Sequence, residues 1–379
     1  MKLKEHIGFG SSCFLAELLH ARNARRILLV TGKNSFRASS AEAVIIPLLT
    51  GFEVQRFDEV APNPDISGVM TGLEAYRSFL PDAVVAVGGG SVLDTAKMLH
   101  FFGSNTITPS AWLVEKPEPT LKAGLLVAIP TTAGSGSEAT PFSVLYINGV
   151  KHSVEHPWLL PDVSIVDPVF SSTASPQLTA EAGFDALAQA IESLWSTRST
   201  VVSLEYARNA LKLIVPNLIQ AIKKGKPEAR LAMATGAHLA GKAIAISRTT
   251  APHAVSYPMT SRFGITHGHA VAILLPAFLR FNAAIKDSDL QDTRGCSWVR
   301  ERLQEICFYL GEVTSDAAAK VLRGMVHDAG LEQRLSLLGV LGEAEISTIV
   351  AEGFTPERVK NNPRVLTENR LQEMLKDLL

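Results

Sequence analysis

Short apolar runs alternate with helical stretches over the first half of the chain. Arg26-Ile27-Leu28-Leu29-Val30-Thr31 is an apolar run ending at Gly32, the pattern of a buried strand. A helix is expected from Ala41 to Leu49. Phe52 to Phe57 alternates like a second strand, and Ala61-Pro62-Asn63-Pro64-Asp65 reads as a turn. A helix follows through Val69 to Phe79. Ala83-Val84-Val85-Ala86-Val87 is again a buried strand; it runs into Gly88-Gly89-Gly90-Ser91 and a helical pattern from Val92 to Phe102. Leu125 to Ile129 is a further strand, followed by the polar loop Pro130 to Glu138. Ser164-Ile165-Val166-Asp167-Pro168 is the last strand. Strands that alternate with helices imply a parallel sheet with helices on both faces.

Beyond Pro168 the pattern changes. Ser175-Pro176 has the form of an N-cap followed by proline at the first helical position. Helical periodicity then dominates to Leu379. We place a boundary near Pro168 to Thr173, giving an α/β domain over residues 1–170 and an all-α domain over residues 171–379.

A length of 379 residues suits two domains, and 46% apolar residues suffice for substantial cores. The net charge of −1 and the lack of a long basic run argue against nucleic acid or an anionic membrane as partner. Cys13, Cys296 and Cys307 form no CxxC pair, which favours a reducing compartment over a disulfide scaffold. The start, MKLKEHIGFGSS, has no apolar stretch of secretory length, and no apolar run approaches a membrane span. The expected location is the cytoplasm.

Two features carry chemistry. Three glycines and a serine between a strand and a helix, Gly88 to Ser91, let backbone N–H groups approach a phosphate at a helix N-terminus; the alternative is a tight turn needing positive φ. The loop Thr131 to Ser137 offers hydroxyls beside it, and two such loops at strand ends fit the ligand crevice of an open α/β sheet. The second feature is Thr249 to Ala270. His253 and His267 stand fourteen residues apart, separated by Pro258 and Gly264, so a helix, a break and a second helix are expected. Asp185 and Gln189, four apart, share a helical face. One reading is a metal held by Asp185, His253 and His267. The other is two helix-cap histidines and a buried acid with a hydrogen-bond partner.

GGGSVLDTAK (Gly88 to Lys97), PTTAGSGSEAT (Pro130 to Thr140), GFDALAQAIE (Gly183 to Glu192) and PHAVSYP with HGHAVAILLP (Pro252 to Pro276) together resemble the iron-dependent, group III alcohol dehydrogenases. Glycerol dehydrogenase and dehydroquinate synthase are more distant relatives. The resemblance spans nearly the whole chain and implies a dehydroquinate synthase-like fold: a dinucleotide-binding α/β domain, a helical domain and a metal in the cleft. It implies that Gly88, Gly89, Gly90 and Ser91 cradle the pyrophosphate of NAD(P)H. Asp94 and Lys97 lie on the helix that opens there, Lys97 being either a cofactor residue or a solvated lysine. Thr131, Thr132 and Ser135 are implied contacts to phosphate or nicotinamide ribose, and Lys151 to ribose. Asp185, His253 and His267 are the implied ligands of a divalent ion, Fe2+ or Zn2+.

Two positions depart from the family pattern. Gln189 stands where a histidine ligand is usual, which supplies a weaker oxygen donor and blurs the choice between iron and zinc. Tyr257 stands where many relatives carry a proton-relaying histidine, and its hydroxyl can take that role. Gly32 replaces an acid common in NAD-preferring relatives, and with Lys33 it favours acceptance of NADPH; the alternative is a plain turn glycine and a surface lysine. The expected activity is hydride transfer between NAD(P)H and a small aldehyde or alcohol, in a homodimer by default. A dehydroquinate-synthase-like lyase, a general alcohol dehydrogenase and a non-catalytic metal or nucleotide binder are the alternatives. Arg248, five residues before His253 on a stretch that also carries Lys242, suits pairing with an anionic group; the alternative is a surface arginine and a snorkelling lysine. The Thr31 to Phe36 run and Ser-Arg-Thr-Thr-Ala-Pro-His resemble the phosphonoacetaldehyde reductase branch, which implies a short aldehyde bearing an anion, phosphonoacetaldehyde first among them. His152, His156, His238 and His269 read as ordinary residues, and Leu331 to Leu341 as core packing.

Overall fold

The computed structural model describes residues 3–122, 124–354 and 359–379. These divide into two compact units at the junction of Ala174 and Ser175. The first unit holds strands β1 (Lys4–Ile7), β2 (Arg26–Thr31), β3 (Glu53–Phe57), β4 (Ala83–Gly88), β5 (Leu125–Pro130), β6 (Phe142–Ile147), β7 (Val150–Glu155) and β8 (Val163–Val166). Six of them form a parallel sheet in the order β1-β8-β5-β4-β2-β3.

The continuous apolar runs are explained by burial on both faces, as parallel sheets require. Side chains alternate with a period of two. Leu28, Val30, Val84, Ala86, Leu126 and Ala128 pack on one side with Leu73, Leu93, Leu99 and Phe102. Ile27, Leu29, Val85, Val87, Val127 and Ile129 pack on the other with Leu15, Leu19, Phe36 and Ile45. Among the helices, α1 (Phe14–Ala21), α2 (Ser35–Ala38), α3 (Ala41–Leu48), α4 (Ile66–Phe79), α5 (Gly90–Gly103), α6 (Pro109–Glu115) and α7 (Pro168–Ser171) belong to this unit. Asp65 caps α4 by accepting from Gly68 N at 2.7 Å, so that helix begins three residues before the apolar pattern announces it.

Two elements go beyond the alternating pattern. β1 has little apolar character and exists through its pairing with β8. β6 and β7 form an antiparallel hairpin around Asn148 and Gly149, at φ 50° and 77°. Asn-Gly at a two-residue turn is a strong hairpin signal, since both positions need positive φ.

The second unit is helical. α8 (Pro176–Trp195) is capped by Ser175, whose Oγ accepts from Leu178 N at 3.2 Å. α9 (Val201–Lys224), α10 (Pro227–Ser247), α11 (Ala251–Phe263) and α12 (His267–Ala283) follow, and further helices run to Lys376. The expected break between the two histidine-bearing helices is present: Gly264 caps α11 at φ 70° and α12 opens at His267. Gly183 lets α8 meet its neighbours, since a Cβ there would lie 2.3 Å from Leu218. In the Leu331 to Leu341 stretch, Leu331 and Leu335 are core residues, whereas Leu337, within a 3-10 turn, and Leu341, beyond it, are exposed, so the stretch is not packed throughout. No helix among the described residues is long and apolar enough to cross a membrane.

Candidate active site

The helical unit gathers Asp185, Gln189, His253 and His267. Asp185 and Gln189 project from one face of α8, as their spacing requires, and Glu192 continues that face one turn on. His253 lies in the first turn of α11 and His267 opens α12. Gly268 makes this approach possible: a Cβ there would sit 1.9 Å from the carbonyl oxygen of Glu181 on α8. Ligand atoms of Asp185, His253 and His267 all lie within 4.8 Å of one another. Oδ1 of Asp185 is 3.1 Å from His253 Nε2 and 4.0 Å from His267 Nε2. Gln189 Nε2 donates to the same Oδ1 at 3.0 Å. Amide nitrogen and oxygen exchange places by a 180° flip, so Gln189 can offer oxygen to a cation at this point.

The electrostatics suit a cation. Burial works against a charged imidazole, yet the carboxylates of Glu192 and Asp185 overcome it and raise His253 to about 10. Burial alone would raise the Asp185 carboxyl, but hydrogen bonding from His253 and the charges of His267 and His253 bring it below its ordinary value. Without a metal, the carboxylates favour an added proton on His253, and the same charges would attract a divalent cation. One carboxylate oxygen, two imidazole nitrogens and an amide, mostly buried, form a donor set that fits Fe2+ or Zn2+.

The second histidine is held from two sides. Tyr257 stacks on His267 with ring centroids 5.4 Å apart and planes 9° apart. Ser256 Oγ lies 3.2 Å from His267 Nδ1 and donates to the His253 carbonyl at 2.7 Å. His269 turns away to Glu332, with its Nε2 at 2.6 Å from that carbonyl oxygen.

The α/β unit carries the two glycine- and hydroxyl-rich loops at the ends of the neighbouring strands β4 and β5. Thr131 N donates to Gly88 O at 2.9 Å and ties them together. None of Gly88, Gly89 and Gly90 has positive φ, so the tight-turn explanation of these glycines does not hold. Close approach explains them better: a Cβ on Gly88 would lie 2.5 Å from Val92, and one on Gly90 3.0 Å from Ser135. Gly89, Gly90, Ser91, Thr132 and Ser135 remain partly open to solvent around the uncapped N-terminus of α5. That is a donor-rich setting for a pyrophosphate. The Ser91 hydroxyl donates to the Pro62 carbonyl.

Asp94 and Lys97 lie on α5 as expected, and the solvated alternative for the lysine is excluded. Lys97 is neither solvated nor turned to the loop's open side; its side chain is 1% exposed. Its Nζ donates to Ser137 O (2.8 Å), Ser137 Oγ (2.9 Å), Thr140 Oγ1 (3.2 Å) and Phe142 O (2.6 Å). Asp94 accepts from Ser137 Oγ at 2.5 Å and Val144 N at 2.9 Å. The pair clamps the loop after β5 from beneath. Burial pushes the Lys97 ammonium below the usual lysine range, against the charges of Asp94 and Glu138.

Gly32 follows β2 and is buried, and Lys33 beside it is exposed. A residue absent from the sequence reading joins them: Arg56 of β3 donates to Thr31 Oγ1 at 2.9 Å and to Lys33 O at 3.5 Å. Lys151 lies in β7 opposite Tyr146. Lys242 places its ammonium 4.5 Å from the Tyr206 ring centre. Arg248 ends α10 at φ 62°, ψ 167°, a region that only glycine adopts readily. Glu192 was also missed. It stands seven residues after Asp185, which is the spacing that could have found it.

Residues 5–168 match the iron-containing alcohol dehydrogenase family, and residues 179–379 match the C-terminal region of the Fe-containing alcohol dehydrogenase family. The chain is 34% identical over 327 residues to phosphonoacetaldehyde reductase of Streptomyces viridochromogenes, covering 83% of this chain and 80% of that one. It is 31% identical over 362 residues to long-chain-alcohol dehydrogenase 1 of Geobacillus thermodenitrificans, covering 93% and 89%. The crystal structure of sulfoacetaldehyde reductase from Bifidobacterium kashiwanohense in complex with NAD+ superposes with a TM-score of 0.88 at 30% identity, covering 99% and 96%. The chain belongs to the iron-containing alcohol dehydrogenase family and is an oxidoreductase.

Proposed function

We propose that this family member is an NAD(P)H-dependent reductase of a short aldehyde that carries an anionic group, with phosphonoacetaldehyde as the leading substrate. The buried cluster of Asp185, His253 and His267 carries the reading, because its donors suit a divalent ion. When bound, that ion supplies Lewis acidity to a substrate oxygen and the nicotinamide supplies the hydride. Asp185, His253 and His267 would hold the ion, with Gln189 as a fourth, weaker donor. Gly88 to Ser91, Thr131, Thr132 and Ser135 would hold the pyrophosphate and ribose, and Lys151 the ribose. Tyr257, stacked on His267, is the protein group that would pass a proton to the product oxygen. Gly32 presents no acid to repel a 2′-phosphate, which supports use of NADPH as well as NADH. A homodimer is the default assembly for such an enzyme.

The anionic substrate rests on two relatives whose aldehydes each bear a tetrahedral anion, and on Arg248. Its backbone strain costs on the order of 1–3 kcal/mol and persists only where neighbours fix the chain. They do so here: Ser247 Oγ bonds Ser193 Oγ at 2.8 Å, Ser196 Oγ donates to Ser247 O at 2.7 Å, and Thr250 N donates to Glu192 at 2.6 Å. Such strain clusters at functional positions.

The likeness to the long-chain-alcohol enzyme favours a second reading, a general alcohol dehydrogenase on neutral substrates. Initial rates with phosphonoacetaldehyde, sulfoacetaldehyde, propanal and butanal, each with NADH and NADPH, separate the two on metal-analysed protein. The anionic aldehydes should lead by at least about tenfold in kcat/KM, or about 1.4 kcal/mol. Arg248→Ala should raise KM for them and leave propanal nearly unchanged. A preference for butanal would replace this reading with the second.

A further inference from the structure

Glu192 is fully buried, yet its carboxylate sits in a polar pocket built for it. Oε2 accepts from Thr250 N at 2.6 Å and from Thr250 Oγ1 at 2.7 Å. Trp195 Nε1 donates to Thr250 Oγ1 at 2.9 Å and fixes that hydroxyl's orientation. Oε1 meets Nδ1 of His253. Thr250 is the N-cap residue of α11 and makes no side-chain cap of its own, so the Glu192 charge lies at that helix's positive end.

We propose that Glu192 is a positioning residue that fixes His253 in the tautomer with its proton on Nδ1 and its Nε2 lone pair aimed at the metal position, and that it supplies the second negative charge a buried divalent ion needs. A carboxylate only accepts hydrogen bonds, so its partner nitrogen must carry the proton. Nε2 is then the donor atom, and it is the atom that faces Asp185. The charge count leads to the same place. Histidines and Gln189 are neutral donors, so Asp185 offsets only half of a dication. Glu192 completes the balance from behind His253. It also raises the basicity of that imidazole, as a carboxylate behind a ligating histidine does. This compensates in part for the weak donor at Gln189.

The inference rests on the metal-centre reading, and one titration separates the two. Metal-free wild-type protein is titrated with Zn2+ and with Co2+ against a chromophoric chelator. Failure of wild type to bind either ion sinks the metal-centre reading itself. Glu192→Gln is then compared. Its amide must either donate to His253 Nδ1, which moves the imidazole proton to Nε2, or turn its N–H toward the donors of Thr250. Affinity should fall about 10–100-fold, and the Co2+ absorption bands should shift. Glu192→Asp should recover part of the loss. Affinity within twofold of wild type in Glu192→Gln overturns the assignment. A measurement on the zinc-loaded wild type needs no variant to fold: long-range 1H–15N correlation of histidine-labelled protein should show His253 protonated at Nδ1 and bound through Nε2. Binding through Nδ1 overturns the proposal.

Discussion

Replacing Lys97 by methionine should loosen the loop after β5 without first touching a cofactor. The lysine's three N–H donors are shared among four acceptors, and Asp94 Oδ1 lies 3.5 Å away. Methionine keeps most of the volume and removes the charge. Asp94 keeps Ser137 and Val144 as partners but loses its counter-charge inside the unit. Breaking a buried pair from one side costs about 3–5 kcal/mol. At about 1.4 kcal/mol per decade, local opening becomes roughly two to nearly four decades more populated. Amide hydrogen exchange followed by mass spectrometry reads this directly in peptides over residues 90–103 and 137–147, with peptides from α9 as an internal reference. The double variant Lys97→Met with Asp94→Asn should recover part of the loss, because neither charge is then stranded. Protection within about twofold of wild type, joined to a tenfold loss of NADH affinity, would mean that Lys97 faces the cofactor and that the clamp is misassigned.

Asp185→Ala, His253→Ala and His267→Ala should each release the divalent ion, measured by metal analysis after gel filtration; full occupancy in all three rules out this ligand set. Gln189→His should tighten Zn2+ binding by at least about tenfold, given a stronger donor in the same position; unchanged affinity places residue 189 outside the coordination shell. Gly32→Asp should penalise NADPH more than NADH. A Cβ there would lie 2.1 Å from Ser35 Oγ, so the substitution is made with Ser35→Ala, and equal loss with both cofactors refutes the assignment. In metal-free protein His253 is raised to about 10 from an unfolded value near 6.5. Its contribution to stability is therefore complete below about pH 6.5 and lost as pH rises through about 10. The thermal midpoint of the metal-free protein should fall across that window, and metal affinity should rise across it because ion and proton compete. A flat midpoint contradicts the carboxylate-flanked placement of His253.

Parts of this architecture are written in local sequence. The runs at Ile27–Val30, Val84–Val87 and Leu126–Ile129 are legible because a strand covered on both faces must be apolar at every position. Ser175-Pro176 announces α8, and Gly264 announces the break before α12, because caps act within a turn. β1 is not legible in this way. Its four residues, Lys4 to Ile7, owe their strand to partners about 160 positions away. The clamp is the same case: a lysine three residues after an aspartate on a helix reads as solvated until a loop forty residues on folds over it.

The cluster around His253 lies between these extremes. Asp185 and Gln189 share a face by spacing alone, and the same rule places Glu192 on it. What spacing cannot supply is the identity of the group each side chain meets. Glu192 finds His253 at a separation of 61 residues, and His253 finds Asp185 at 68. Only the fold decides that the two carboxylates approach opposite nitrogens of one imidazole. That decision has a chemical consequence. With one carboxylate alone, His253 could present either nitrogen. Flanked by both, it keeps its proton on the Glu192 side when an ion replaces the proton on the Asp185 side. On the proposal made for Glu192, the glutamine at 189 is tolerable in such a site because charge, which the amide cannot provide, would be delivered through the histidine from behind.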